Sequence, residues 1–282
     1  MVSSILSTLY EPPSLRHTTV HSWFARMAAA CLNEWQLLVG GTCCRMTEVE
    51  FYYHGPTHPD WFTHRDPLQT SCGRWYFHRS GSGFRGGSFK GLDLTFGDSE
   101  THGGMLIRGL ELADGSLISG PCLCVNHLMH QLGFTSVAEL HAATAGSHAA
   151  QNNGLLAIGQ SETAFERPIF NTARVGLSLN RATDAQSPLI PFVMRRYRFL
   201  TRPDASGKGR PQLILALHID GHSVRAIRKT VRSPTRTIEG YIRDFETGKS
   251  LPSLDPFLQT NLNTGDLCRL YGHWHEHQRC RA

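Results

Sequence analysis

Glu48 and Glu50 stand two residues apart in a stretch, residues 44–53, that alternates like a β-strand. That spacing puts both carboxylates, and the ring of Tyr52, on one face. His64 and Arg65 follow a loop holding Pro56 and Pro59. His78, Asp93 and Arg108 then fall in three further strand-like runs. A charge inside an apolar strand is costly unless it is partnered. Asp93 between Leu92 and Leu94, and Arg108 after Met105-Leu106-Ile107, are such charges. Each alone reads first as half of a structural ion pair. Together they read as a polar pocket in a β-rich core. A carboxylate kept ionised by a guanidinium can accept a proton from water.

Metal chemistry is the rival. Histidine pairs four apart occur at His54/His58, His218/His222 and His273/His277. The first flanks Gly55-Pro56 and the second runs into Asp220-Gly221, so neither is expected on a continuous helix face. Cys122 and Cys124 with His127 and His130 have the wrong spacing for zinc. His273, His275, His277 and Cys280 read as a polar tail. No metal and no cofactor are expected.

The elements that must hold these residues are mixed. Residues 17–39 read as a helix through Trp23, Met27, Ala30, Cys31 and Leu32. Residues 44–53, 75–78, 91–96 and 104–110 read as strands, divided by glycine-rich turns such as 80–88. Residues 121–132 read as a helix, and residues 173–177 and 196–200 as late strands. This predicts an α+β domain over 15–202 and a linker over 203–211. A helix-turn-helix-like module follows over 212–250, then a tail over 251–282. In the module, residues 213–219 and 223–231 read as helices. A third helix is capped by Ser233-Pro234 and closed by Gly248.

The composition is globular, with 40% hydrophobic and 18% charged residues in 282. It excludes disordered and fibrous classes. No apolar run is long enough for a membrane span. Residues 1–14 lack a basic leader, so no secretory signal is expected. The eight cysteines show no Cys-x-x-Cys pair and read as reduced thiols, which points to the cytoplasm. A monomer is expected. Residues 208–249 hold nine basic and four acidic side chains, so the whole net charge of +5 resides there. A local basic excess suits a polyanion partner. Arg228, Arg232 and Arg236 are its candidate contacts, unless the run is only a solvated helical face.

Read in order, the motifs resemble a known family. They are Arg45-x-x-Glu48-x-Glu50-x-Tyr52, His64-Arg65, Gly73-x-x-Tyr76-x-His78, Leu92-Asp93-Leu94, residues 105–111 (MLIRGLE) and Ala173-Arg174-Val175-Gly176. This series resembles the alkyladenine (3-methyladenine) DNA glycosylases over about residues 15–202. The resemblance implies a single mixed domain around a curved antiparallel sheet. It implies Glu50 as the catalytic carboxylate and Arg108 beside the water. It implies Tyr52, His64 and His78 as a cage for the flipped base, with Asp93 at its wall. The basic C-terminal module lies outside the family's pattern.

The activity so implied is extrusion of a modified base from duplex DNA and hydrolysis of its N-glycosidic bond. Lys90 is the only lysine before Lys208 and lies off the family's functional positions. A one-step hydrolysis leaving an abasic site is therefore expected, without a Schiff base. Phe84 is the expected wedge into the gap in the stack, with Arg85 and Arg65 as DNA contacts. His78 and Asp93 make the cage more polar than the family's. An aspartate suits the exocyclic amine of cytosine. The expected substrate is a hypermodified, glucosylated hydroxymethylcytosine of phage DNA, since relatives of this family act in antiphage defence. The alternatives are an alkylpurine repair enzyme and a non-catalytic DNA-binding regulator.

Overall fold

The computed structural model describes residues 19–163 and 165–279, with side chains placed to 277. Residues 1–18, which hold the expected absence of a leader and the start of the first helix, lie outside the described residues. So does Cys280 of the proposed histidine tail. The architecture is α+β, with a large antiparallel sheet and eight α-helices among the described residues. None of those helices is long and apolar enough to cross a membrane.

The chain forms two compact units. The first holds residues up to Ile169 together with Phe199–Thr201. It opens with α1 (Val20–Ala29), capped by the Thr19 side chain accepting from the Ser22 N–H. Trp23, Phe24, Met27 and Ala28 form its buried stripe. The expected helix over 17–39 ends early. A π-helical turn over Ala30–Glu34 leads into strand β1 (Trp35–Val39). A five-residue stretch with four apolar side chains fits a buried strand as well as a helix, and tertiary pairing decides between them.

The remaining strands of this unit are β2 (Thr42–Gly55), β3 (His58–Pro59), β4 (Cys72–Phe77), β5 (Arg79–Ser80), β6 (Gly83–Phe84), β7 (Leu92–Phe96), β8 (His102–Glu111), β9 (Leu117–Ser119) and β10 (Leu156–Gln160). The main path runs β10-β1-β2-β8-β7-β4, and β5 pairs β6 as a separate hairpin. One sheet face packs on α1. There Phe24 stacks on Phe51 at 4.6 Å and Trp23 meets Phe96 at 4.8 Å. Burying each such ring stabilises by roughly 1.5–3 kcal/mol. The opposite face carries the polar residues, because neighbours along a strand alternate. Helices α2 (Pro121–Leu132) and α3 (Val137–Thr144) complete the unit. Pro121 opens α2 and left-handed Gly133 closes it.

The second unit holds Phe170–Arg198 and Arg202 onward. Residues 173–177 are not a strand; the pairing segment is Phe170–Thr172. A short helix α4 (Leu189–Met194) follows. Residues 203–211, the expected linker, are clasped on a buried guanidinium. Arg198 donates to Ser206 Oγ at 2.6 Å, Gly209 O at 3.0 Å and Lys208 O at 3.2 Å. Helices α5 (Arg210–Ile219), α6 (Val224–Val231) and α7 (Thr235–Lys249) lie where the hydrophobic pattern places them. Ser223 caps α6, whereas Ser233 does not cap α7.

Gly248 lies inside α7 rather than ending it. Helix α8 (Thr264–Arg279) runs through the expected tail and packs on α7. A Cβ on Gly248 would collide with the Arg269 carbonyl, and one on Gly272 with the Phe245 carbonyl. The two helices thus meet backbone to backbone at paired glycines.

Candidate active site

Pairing across the sheet places four residues on one rung. Glu50 on β2 opposes Leu106 on β8, Leu106 opposes Asp93 on β7, and Asp93 opposes Tyr76 on β4. Directly opposed residues share a face. Glu50, Asp93 and Tyr76 therefore project to the same side of the sheet. By alternation, Tyr52, Arg108 and His78 project there too. A bulge around Glu48 keeps its carboxylate within reach of this group.

The first cluster is built on β2 and β8. Glu50 is 0% exposed. Tyr52 Oη donates to Glu50 Oε2 at 2.8 Å, and Arg108 Nη1 donates to the same oxygen at 3.4 Å. Arg108 Nε donates to Glu48 Oε1 at 2.8 Å and lies 3.4 Å from Glu50 Oε1. Burial disfavours the Arg108 charge, but Glu50 and Glu48 outweigh it and hold its pKa above the ordinary value. The Arg108 carbonyl accepts from the Gly120 N–H at 2.7 Å, which ties this strand to the start of α2.

The second cluster joins β4 and β7 to the loop before them. Asp66 caps a 3₁₀ turn, Pro67–Thr70, in a capping box with Gln69. The turn delivers buried Gln69, whose Nε2 donates to Asp93 Oδ2 at 3.2 Å. His78 Nε2 donates to Asp93 Oδ1 at 2.7 Å. Gly104 leaves the room these groups need, since a Cβ there would lie 2.5 Å from Asp93 Oδ2. The rings of His64 and His78 meet edge to face at 4.4 Å. His64 Nδ1 lies 3.1 Å from Tyr76 Oη. Burial, and then the neighbouring His78, push the His64 pKa down to about 4, so this imidazole is neutral at pH 7. Burial and then nearby Asp66 and Asp93 raise the Tyr76 phenol. Tyr76 therefore keeps its proton and can donate it to His64 Nδ1.

Asp93 was expected to read an exocyclic amine. Its two oxygens each accept one hydrogen bond, from His78 and from Gln69, which orients the histidine and leaves each oxygen a further acceptor site.

The chain is 31% identical over 173 residues to Uncharacterized protein L759 of Acanthamoeba polyphaga mimivirus, covering 55% of this chain and 79% of that protein. The chain belongs to the family of that mimivirus protein. No family model matches it. In this member of the mimivirus protein's family, the described cysteines are unbridged. Among the described residues, no group of three or more His, Cys, Asp or Glu side chains is disposed to hold a metal ion.

The structure brings Glu50, Arg108, Tyr52, His64, His78 and Asp93 onto one face. The other predicted residues are dispersed. Phe84 is half-buried, its ring 5.1 Å from His141 and 4.8 Å beneath the Arg79 guanidinium. In the free protein its ring therefore rests on the molecule's own side chains. Phe89, five residues on, is 72% exposed. Arg85 Nε donates to the Arg79 carbonyl at 3.1 Å. Arg65 sits at φ 56 with its guanidinium 4.5 Å over Trp61. Arg228, Arg232 and Arg236 are exposed on the second unit. Gln69 and Tyr76 were missed as site residues. The Asp66-Pro67-x-Gln69 spacing was the readable sign of the turn that carries Gln69.

Proposed function

We propose that this chain is a DNA glycosylase that extrudes a modified base and hydrolyses its N-glycosidic bond with water activated by Glu50. The observation that carries the reading is the shared rung. A sealed carboxylate, oriented by Arg108 and Tyr52, lies on the same face as His64, His78 and Tyr76. Cleavage of the C1′–N bond builds oxocarbenium character on the sugar. The Glu50 carboxylate stabilises that charge and takes a proton from the water as its oxygen bonds C1′. The base leaves with the electron pair of the C1′–N bond and takes up the proton that Glu50 has gained, directly or through solvent, and an abasic site remains. Arg108 holds the carboxylate in place through its guanidinium contacts. His64, held neutral, and His78 supply ring faces for the extruded base, as stacking side chains do elsewhere. Asp93 positions His78. Exposed Phe89, rather than Phe84, is the wedge that fills the vacated stack.

The substrate to test first is glucosylated hydroxymethylcytosine of phage DNA. A second reading, excision of a cationic alkylpurine, has its own support. The cluster sets Glu48, Glu50 and Asp93 against Arg108, with His64 held neutral. Such a balance suits a positively charged base between rings. The three-helix module of the second unit is read as a helix-turn-helix contact to the duplex.

Incubation with plain, alkylated and phage-modified DNA, followed by mass spectrometry of the released base, tests both. Glu50→Gln should lower base release at least about a thousandfold while leaving DNA binding intact. Release near the wild-type rate by that variant removes Glu50 from the mechanism.

A further inference from the structure

The second unit carries a groove of about 940 Å³. Arg225, Arg228, Lys229 and Arg232 line it, with Ser223 and Ser233. Helix α6 reads VRAIRKTV and holds no acid. Its apolar side is sealed by Ile227 and Val231, both fully buried. The cations recur three, four and seven residues after Arg225, on the opposite side. Like charges so spaced destabilise a helix. Asp204 is an acid that meets them, its Oδ2 3.5 Å from Arg232 Nη1, and Arg232 stays 76% exposed.

Arg232 ends α6 in the left-handed conformation, at φ 51. Ser233 follows, 3% exposed, and its hydroxyl has no hydrogen-bond partner. A buried hydroxyl without a partner is destabilising. The free protein therefore retains two unfavourable features at one place, crowded cations and an unsatisfied donor. An anion relieves both.

We propose that this groove seats consecutive phosphates of the duplex DNA backbone. The cations from Arg225 to Arg232 span about 10 Å of helix. Duplex DNA carries one phosphate charge per ~1.7 Å of axis over both strands, so a helix of that length can face several phosphates. Rotation about χ1 turns the Ser233 hydroxyl outward to donate to a phosphate oxygen. The three-residue turn Arg232-Ser233-Pro234 then starts α7, whose first turn presents exposed Arg236. This is the order of a helix that crosses the backbone followed by one that enters the major groove. The assignment deepens the reading of the module as a DNA contact and is independent of the chemistry at Glu50.

Anisotropy titrations of the full chain with a short unmodified duplex, across a range of salt, test the groove. The triple variant Arg225→Ala, Arg228→Ala, Lys229→Ala should bind more than tenfold more weakly at low salt. Its log K against log salt slope should be shallower by about 2.7, for three lost phosphate contacts. Ser233→Ala should raise the Tm of the free protein yet weaken duplex binding several-fold with the slope unchanged. A raised Tm with unchanged affinity would show Ser233 to be structural and remove it from the site. Wild-type affinity and slope in the triple variant overturn the groove while leaving base release by the wild type as a separate fact. If the wild type binds no duplex, and groove variants alter only binding of an acidic peptide or anionic vesicles, the duplex assignment is wrong.

Discussion

Arg108 and Arg228 carry the same guanidinium in opposite surroundings. Arg108 is buried between two carboxylates and held by hydrogen bonds of defined geometry. Arg228 is exposed, on a helix with no acid of its own. A buried charge is tolerated only with partners, so its position is set by those partners. An exposed charge is screened over about 8–10 Å and acts through number and sign. The first arrangement suits chemistry on one bond. The second suits attraction of an extended polyanion.

The largest expected effect breaks this contrast at its buried end. Arg108→Met leaves Glu48 and Glu50 buried without their cation and should cost about 3–5 kcal/mol of stability. Arg228→Met should change stability by no more than about 0.5 kcal/mol. Urea unfolding of both variants is the check. Equal effects would mean that the Arg108 cluster is relaxed by solvent, and the site would lose its sealed carboxylate. The double variant Glu48→Gln, Arg108→Met sharpens the comparison. It should recover part of the loss, because one stranded charge is then gone.

Much of the buried end was legible before any coordinates. The i, i+2 spacing of Glu48, Glu50 and Tyr52 already fixed a shared face, and isolated Asp93 and Arg108 announced a need for partners. The rung itself was not legible. Register across strands depends on non-local pairing, and a slip of one residue would send Glu50 to the face occupied by Phe24 and Phe51. The same limit hid Trp35–Val39, whose strand identity rests on partners at Leu156–Gln160 and Thr42–Cys44. Gly248 misled for a related reason. Glycine often ends helices, but here it serves a close approach to α8 that only the partner helix reveals. Helix α8 carries Leu267, Leu270, Tyr271 and Trp274 at helical spacing, so its stripe was legible, but the histidine-rich run after it reads as a polar tail.

An intermediate effect concerns the exposed apolar side chains. Phe84 is held by His141 and Arg79, while Phe89 projects. Phe89→Ala should slow base release on duplex DNA by about tenfold, since a vacated stack then collapses without a plug. It should have a much smaller effect on a single-stranded substrate, where no stack needs filling. Phe84→Ala should instead lower stability with little change in the duplex-to-single-strand ratio. The reverse pattern would return the wedge to Phe84.

The smallest expected effect is a pH dependence set by burial. His64 in the folded protein has its pKa pushed down to about 4. The unfolded chain takes up this proton near pH 6.5, whereas the folded protein refuses it until about pH 4. Stability is therefore lost as pH falls from about 6.5 toward 4, and is not lost further below that. Between pH 7 and 5.5 the His64 share is about 1 kcal/mol. His102, His127, His141, His148 and His273 are also lowered by burial and act in the same direction. Comparing wild type with His64→Asn by denaturant unfolding at the two pH values isolates the His64 share. The variant should lose less stability on acidification. Equal losses would mean that His64 is solvated and free to protonate, and the cage would then present a cation instead of a neutral ring to the base. The other five histidines contribute equally to both proteins, so the difference between wild type and variant reports the buried site.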